Sequence, residues 1–211
     1  MKKSLRIVFM GTPEFALKSL EAIHEKFNIV GVVTAPDKKR GRGQKVIPTP
    51  VKEFAVAKNI SVLQPTNLKD ENFIKDLSDL KADLNVIVAF RMLPESVWNM
   101  PPLGSLNLHA SLLPDYRGAA PINHAIINGE SRTGVTTFFL NQGIDTGALI
   151  MSETIEIGEN ETAGELHDRL MVAGANLVIK TIDSIRDGSV DPKLQPMPIG
   201  DLRTAPRLFR E

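Results

Sequence analysis

Apolar runs alternate with helical periodicity along most of the chain, the order that a parallel α/β sheet requires. Leu5–Met10 (LRIVFM) predicts a first buried strand. Gly11 makes the turn after it, Thr12 caps a helix, Pro13 suits the first helical position and Glu14 the first turn. Ala16, Leu20, Ile23 and Phe27 fall on one face of that helix. Ile29–Thr34 predicts a second strand, Val51–Ala57 a helix, Ile60–Leu63 a short strand and Glu71–Leu80 another helix. Leu84–Phe90 predicts a central strand, Ser105–His109 one more, and Ala119–Ile127 a helix. The runs GVTTFFL and ALIMSETIEI alternate better, which predicts a late antiparallel pair around the loop NQGIDTG. A long helical pattern covers Thr162–Arg186. From about Asp191 the pattern lapses into a stretch rich in proline and arginine, as a linker would. The expected fold is α/β: doubly wound and Rossmann-like, a mostly parallel sheet with late antiparallel strands. Ligands of such sheets bind at the carboxyl ends of the strands.

Composition narrows the classes. A chain of 211 residues is long enough to bury a substantial core. It is 42% apolar and 24% charged, which argues against disorder. Lysine plus arginine equals aspartate plus glutamate at 25 each, so binding to nucleic acid or membrane needs a local patch. No cysteine is present, which excludes disulfides and thiolate chemistry and suits the cytoplasm. The first apolar stretch is too short for a signal peptide, and no run approaches a bilayer span.

One stretch invites chemistry: NLHASLLPDYRGAAPI, Asn107–Ile122. In a strand, Asn107 and His109 share a face while Leu106 and Leu108 turn into packing. Asn107 supplies a neutral donor and acceptor, and His109 a ring that titrates near neutrality. A carboxylate such as Asp145 would orient that ring. Such a set can hold an oxyanion and move protons, as acyl transfer to an amine demands, and the amine attacks without a protein nucleophile. Spacing alone leaves this open, because a histidine near a strand end is more often structural. His24 and His167 sit on expected helix surfaces, His124 has no paired polar neighbour, and the four histidines show no metal-ligand spacing. FMGTPEF lacks the full G-x-G-x-x-G pattern of a dinucleotide cradle. Lys38, Lys39, Arg40, Arg42 and Lys45 crowd five cations into one acid-free loop, which suits phosphates or simply water.

These stretches together resemble the folate-dependent formyltransferases. The resemblance rests on NLHASLLPDYRGAAPI with GIDTG, on FMGTPEFA, on APDKKRGRGQKVIPTPVK and on INGESRTGVTTFFLNQGIDTG, so it spans almost the whole chain. It implies transfer of the formyl group of 10-formyltetrahydrofolate to an amine, without metal. It places the family's catalytic asparagine, histidine and aspartate on Asn107, His109 and Asp145. Folate contacts fall on Ser111, Leu112, Leu113 and Pro114, and pterin contacts on Phe90, Arg91, Leu93 and the loop before Asp145. The motif RGAAP and the basic loop favour the branch whose acceptor is methionyl initiator tRNA, with Arg40, Arg42 and Lys45 facing the acceptor arm. The departure AFRMLP, where the family often reads alanine-tyrosine-glycine before ILP, weakens the pterin assignment. The resemblance further implies a catalytic domain over residues 1–190, then a linker over 191–211 toward a C-terminal tRNA-binding domain absent from this chain. The expected protein is a cytoplasmic monomer that binds no membrane. The alternatives are formylation of an amino sugar nucleotide or of glycinamide ribonucleotide, and a nucleotide-binding module without chemistry.

Overall fold

The computed structural model describes residues 5–40, 45–196 and 202–209. The chain divides into two compact units, residues 1–106 and 107–211.

In the first unit, β1 (Arg6–Gly11) runs parallel to β2 (Asn28–Val33), and between them lies α1 (Glu14–Lys26). The helix begins after Pro13, whose extended backbone (φ −81°, ψ 176°) makes it the cap, so Thr12 does not cap α1. The Pro13 carbonyl accepts from the backbone of Ala16 and Leu17, which replaces a side-chain cap. Ala16, Leu20 and Ile23 are fully buried, as the helical face predicts. The hairpin of β3 (Lys38–Arg40) and β4 (Lys45–Ile47) was not foreseen. Then follow α2 (Pro50–Ala57), β5 (Val62–Leu63), α3 (Glu71–Asp79), β6 (Leu84–Val88) and the short α4 (Glu95–Trp98). Strand order in this unit is β6-β1-β2-β5, with every pair parallel. β6 stops before the expected Phe90 because Ala89 takes a left-handed backbone, φ 47°.

The strand β7 (Ser105–His109) has the predicted bounds and leads into the second unit. There, β8 (Arg117–Gly118) and α5 (Pro121–Ile127) precede β9 (Arg132–Phe139) and β10 (Leu149–Glu156), which pair antiparallel as expected. The order is β10-β9-β7. The long α6 (Ala163–Asp187) starts with a capping box between Thr162 and Glu165 and ends at Gly188 in a left-handed conformation. Beyond it, the segment expected as a linker is tied down where it is described. Lys193 and Leu149 exchange backbone hydrogen bonds of 2.8 and 2.7 Å. β11 (Thr204–Ala205) lies parallel to β8.

Candidate active site

Asn107, His109 and Asp145 all lie in the second unit. Strand β7 behaves as its alternation predicts: Leu106 and Leu108 are buried in packing, and Asn107 and His109 share the other face. Asn107 is half-buried, and its amide has no hydrogen-bond partner among the described residues. A side chain so placed keeps donor and acceptor capacity for a ligand.

His109 is buried, with 6% of its surface exposed, and both ring nitrogens face acceptors. Nε2 lies 2.8 Å from the Tyr116 carbonyl oxygen. A carbonyl only accepts, so Nε2–H donates there and the other nitrogen takes the remaining role. That nitrogen, Nδ1, lies 3.8 Å from Oδ2 of Asp145. The aspartate oxygen also accepts from the Gly118 backbone N–H at 2.9 Å. Asp145 therefore holds a fixed side-chain position, and a small approach completes a bond to the ring once Nδ1 carries a proton. Its own backbone is left-handed, φ 52°, a conformation that aspartate tolerates better than most residues. Two nearby groups turn the preceding loop back: the Asn141 side-chain oxygen accepts from Gly143 N–H at 3.0 Å and from the Thr146 hydroxyl at 2.8 Å.

Tyr116, which supplies the carbonyl for His109, is itself anchored. Its hydroxyl donates to Glu130 at 2.5 Å and accepts from the Asn128 amide at 3.0 Å. Burial pushes the Tyr116 phenol above its ordinary range, and the bond to Glu130 adds to this. The same bond, joined by Arg203, holds the Glu130 carboxyl below its ordinary range. The backbone N–H of Tyr116 donates to the Arg203 carbonyl at 2.6 Å.

The remaining expected residues divide. Ser111 is fully buried and donates its hydroxyl to the Asp115 carbonyl at 2.7 Å. Leu113 is buried and its N–H donates to the Thr136 hydroxyl at 3.3 Å, while Leu112 and Pro114 stay half-buried. In the first unit, Arg91 is exposed, donates to the carbonyls of Pro65 and Thr66, and lies 5.6 Å from the Phe90 ring centre; Leu93 is buried. Arg40 and Lys45 pair across the β3–β4 hairpin, and Arg42 lies outside the described residues. Among the described residues, no group of three or more His, Asp or Glu side chains is placed to hold a metal ion. None of their helices is long and apolar enough to cross a membrane. His24 packs edge-on to Phe54, His124 meets the Pro206 carbonyl at 3.0 Å, and His167 pairs with Asp168 at 3.0 Å.

No spacing or periodicity in the chain points to two further participants. The Gly118 N–H and the Gln195 amide both fasten Asp145, and Gln195 comes from a proline-rich stretch with no periodicity.

Comparison with known proteins supplies context for this geometry. The family described as formyl transferase matches residues 5–182. A methionyl-tRNA formyltransferase of Flavobacterium psychrophilum is 58% identical over 99% of this chain and 66% of its own length. One of Bacteroides thetaiotaomicron is 52% identical over 100% of this chain and 66% of its own. This chain thus spans just under two thirds of those curated relatives. Among solved structures, phosphoribosylglycinamide formyltransferase of Anaplasma phagocytophilum has a TM-score of 0.76 at 21% identity, covering 98% of this chain and 100% of that one. At such identity the likeness bears on fold alone, and the mostly parallel α/β fold agrees with it.

Proposed function

The chain belongs to the formyl transferase family, and from that premise we propose that it serves transfer of the formyl group of 10-formyltetrahydrofolate to the amino group of methionyl initiator tRNA, in the cytoplasm. The names of the curated relatives support the acceptor. One observation carries the chemistry: buried His109 sits between the Tyr116 carbonyl and the Asp145 carboxylate, beside an Asn107 amide free of partners among the described residues.

The donor set fits the cosubstrate. A formyl group on nitrogen needs donors where negative charge develops and a route for the proton that the amine loses. Asn107 offers N–H donors on the open face of β7, and His109 offers its ring beside it. Asp145 accepts or shares the proton on the Nδ1 side, while the Tyr116 carbonyl keeps the ring from rotating. When bound, the folate supplies the activated formyl group and a nitrogen leaving group. Because Ser111 is committed to the Asp115 carbonyl, the folate contacts proposed for that segment fall chiefly to Leu112, Leu113 and Pro114. Phe90, Arg91 and Leu93 are proposed pterin contacts, and Arg40, Arg42 and Lys45 proposed phosphate contacts for the tRNA.

The test is His109→Ala, assayed for formyl transfer to methionyl-tRNA. Loss of the ring's acid-base help lowers the rate at least about 100-fold, roughly 2.7 kcal/mol of transition-state stabilisation, with the circular dichroism unchanged. A rate near wild type would refute the mechanism. In the same assay, an amino sugar nucleotide or glycinamide ribonucleotide outcompeting methionyl-tRNA would refute the acceptor.

A further inference from the structure

The described part of the segment after α6 crosses the catalytic loops of the second unit and places one side chain between them. The Gln195 amide nitrogen donates to the carbonyl of Asp145 at 2.8 Å and to that of Gly147 at 2.9 Å. Its carbonyl oxygen accepts two bonds from the Arg117 guanidinium, one of 3.2 Å from Nε and a second from Nη2. A primary amide has two N–H donors and two acceptor lone pairs, and Gln195 uses all four. The partners are chosen from two separate loops. Asp145 and Gly147 bracket the turn whose carboxylate faces His109, and Arg117 lies between Tyr116, which holds His109 Nε2, and Gly118, whose N–H holds the carboxylate.

We propose that Gln195 is a positioning residue for formyl transfer: its fully engaged amide fastens the left-handed Asp145 turn to the Tyr116–Gly118 loop and so sets the distance between the Asp145 carboxylate and the His109 ring. The proposal rests on the function argued above. Its geometric part, the placement of Asp145 against His109, stands apart from which acceptor is used. Backbone ties on either side of Gln195 give the side chain a firm base. Leu149 and Lys193 exchange two backbone bonds, Tyr116 N–H donates to the Arg203 carbonyl, and Ala120 N–H donates to the Ala205 carbonyl at 3.1 Å. Those ties hold the segment without Gln195, so removing its amide loosens the carboxylate more than it loosens the fold.

Two substitutions separate the parts of the clamp. Gln195→Glu keeps the acceptors for Arg117 but turns a carboxylate oxygen toward two carbonyls, and Gln195→Met keeps the length without polar groups. Each is measured in the full 211-residue chain by steady-state formyl transfer and by nitrogen-15 NMR of the His109 ring. The expected result is a kcat at least tenfold lower in both variants, KM for the formyl donor within twofold of wild type, and a displaced Nδ1 resonance. Restoring glutamine's chemistry in one chain atom less, by Gln195→Asn, recovers little, because the amide no longer spans both loops. Unchanged kcat together with an unchanged Nδ1 resonance in a folded variant overturns the proposal. So does failure of both variants to fold, which would make Gln195 purely architectural. If the unsubstituted chain transfers no formyl group, the functional reading falls, and the ring resonance still decides whether Gln195 positions Asp145.

Discussion

Gly147 shows how narrowly single residues are specified around the Asp145 loop. A Cβ there would collide with the Phe139 carbonyl oxygen, because the loop returns to β9 through a bond from Phe139 N–H to Ala148 O of 3.0 Å. Glycine permits that approach. Gly147→Ala forces backbone apart and is expected to cost about 1–3 kcal/mol, read as a lowered denaturation midpoint in urea. Formyl transfer falls with it, since Asp145 lies two residues upstream in the same turn. Gly118 is constrained twice, by a φ of +124° and by the Ala205 carbonyl lying where a side chain would start. Its N–H then points at Asp145. The glycines of YRGAAP and GIDTG are visible in the chain, but the Ala205 carbonyl that demands Gly118 comes from far away in sequence.

Elements were legible where local rules govern. The capping box of α6 reads directly from Thr162 and Glu165: the Thr162 hydroxyl accepts from Glu165 N–H at 3.3 Å and Glu165 accepts from Thr162 N–H at 2.9 Å. Thr162→Ala is expected to cost about 1 kcal/mol, measurable by thermal or urea unfolding, while formyl transfer stays unchanged. Alternation was expected in both late strands, and it appears in only one. β10 alternates half-buried with exposed positions, whereas β9 is buried at six successive positions, Thr133 to Phe138. The order β10-β9-β7 fits this, since β9 has strands on both sides, whereas β10 pairs with β9 and meets only Lys193, at Leu149, on its other edge among the described residues. Thr12 illustrates the opposite failure. It has the right chemistry for a cap, yet Pro13 stands extended before α1 and takes the position. The hairpin of β3 and β4 and the short β8 and β11 left no trace in periodicity, because strands of two or three residues contain less than two full alternations.

At the scale of the molecule, the second unit is bound together by groups that respond to pH. Glu130 accepts from Tyr116, then from Arg203, and these bonds depress its folded pKa from the ordinary 4.5. A depressed carboxyl contributes stability that is present above its unfolded value and lost as pH falls through the folded one. Unfolding of the wild-type chain is therefore expected to become easier on acidification below about pH 4.5, and Glu130→Gln removes that part of the dependence in a urea titration series. The partners of Glu130 lie at Tyr116 and Arg203, so this stabilisation joins the Tyr116 loop to the segment after α6. By itself the sequence determined the α/β class, the bounds of β7, the shared face of Asn107 and His109 and the long capped helix, because each follows from spacing or from bonds within a few residues. Strand order made Asp145 a candidate partner for the ring, and the resemblance in its motifs singled it out. Only the tertiary structure decided that His109 Nε2 is spent on the Tyr116 carbonyl, that Ser111 is internal, and that the Gln195 amide joins Asp145 and Gly147 to Arg117. The first two are bonds within an irregular loop whose path no periodicity sets, and the Gln195 bonds join distant stretches of chain: a donor in an aperiodic, proline-rich segment carries no mark of the acceptor it will meet after folding.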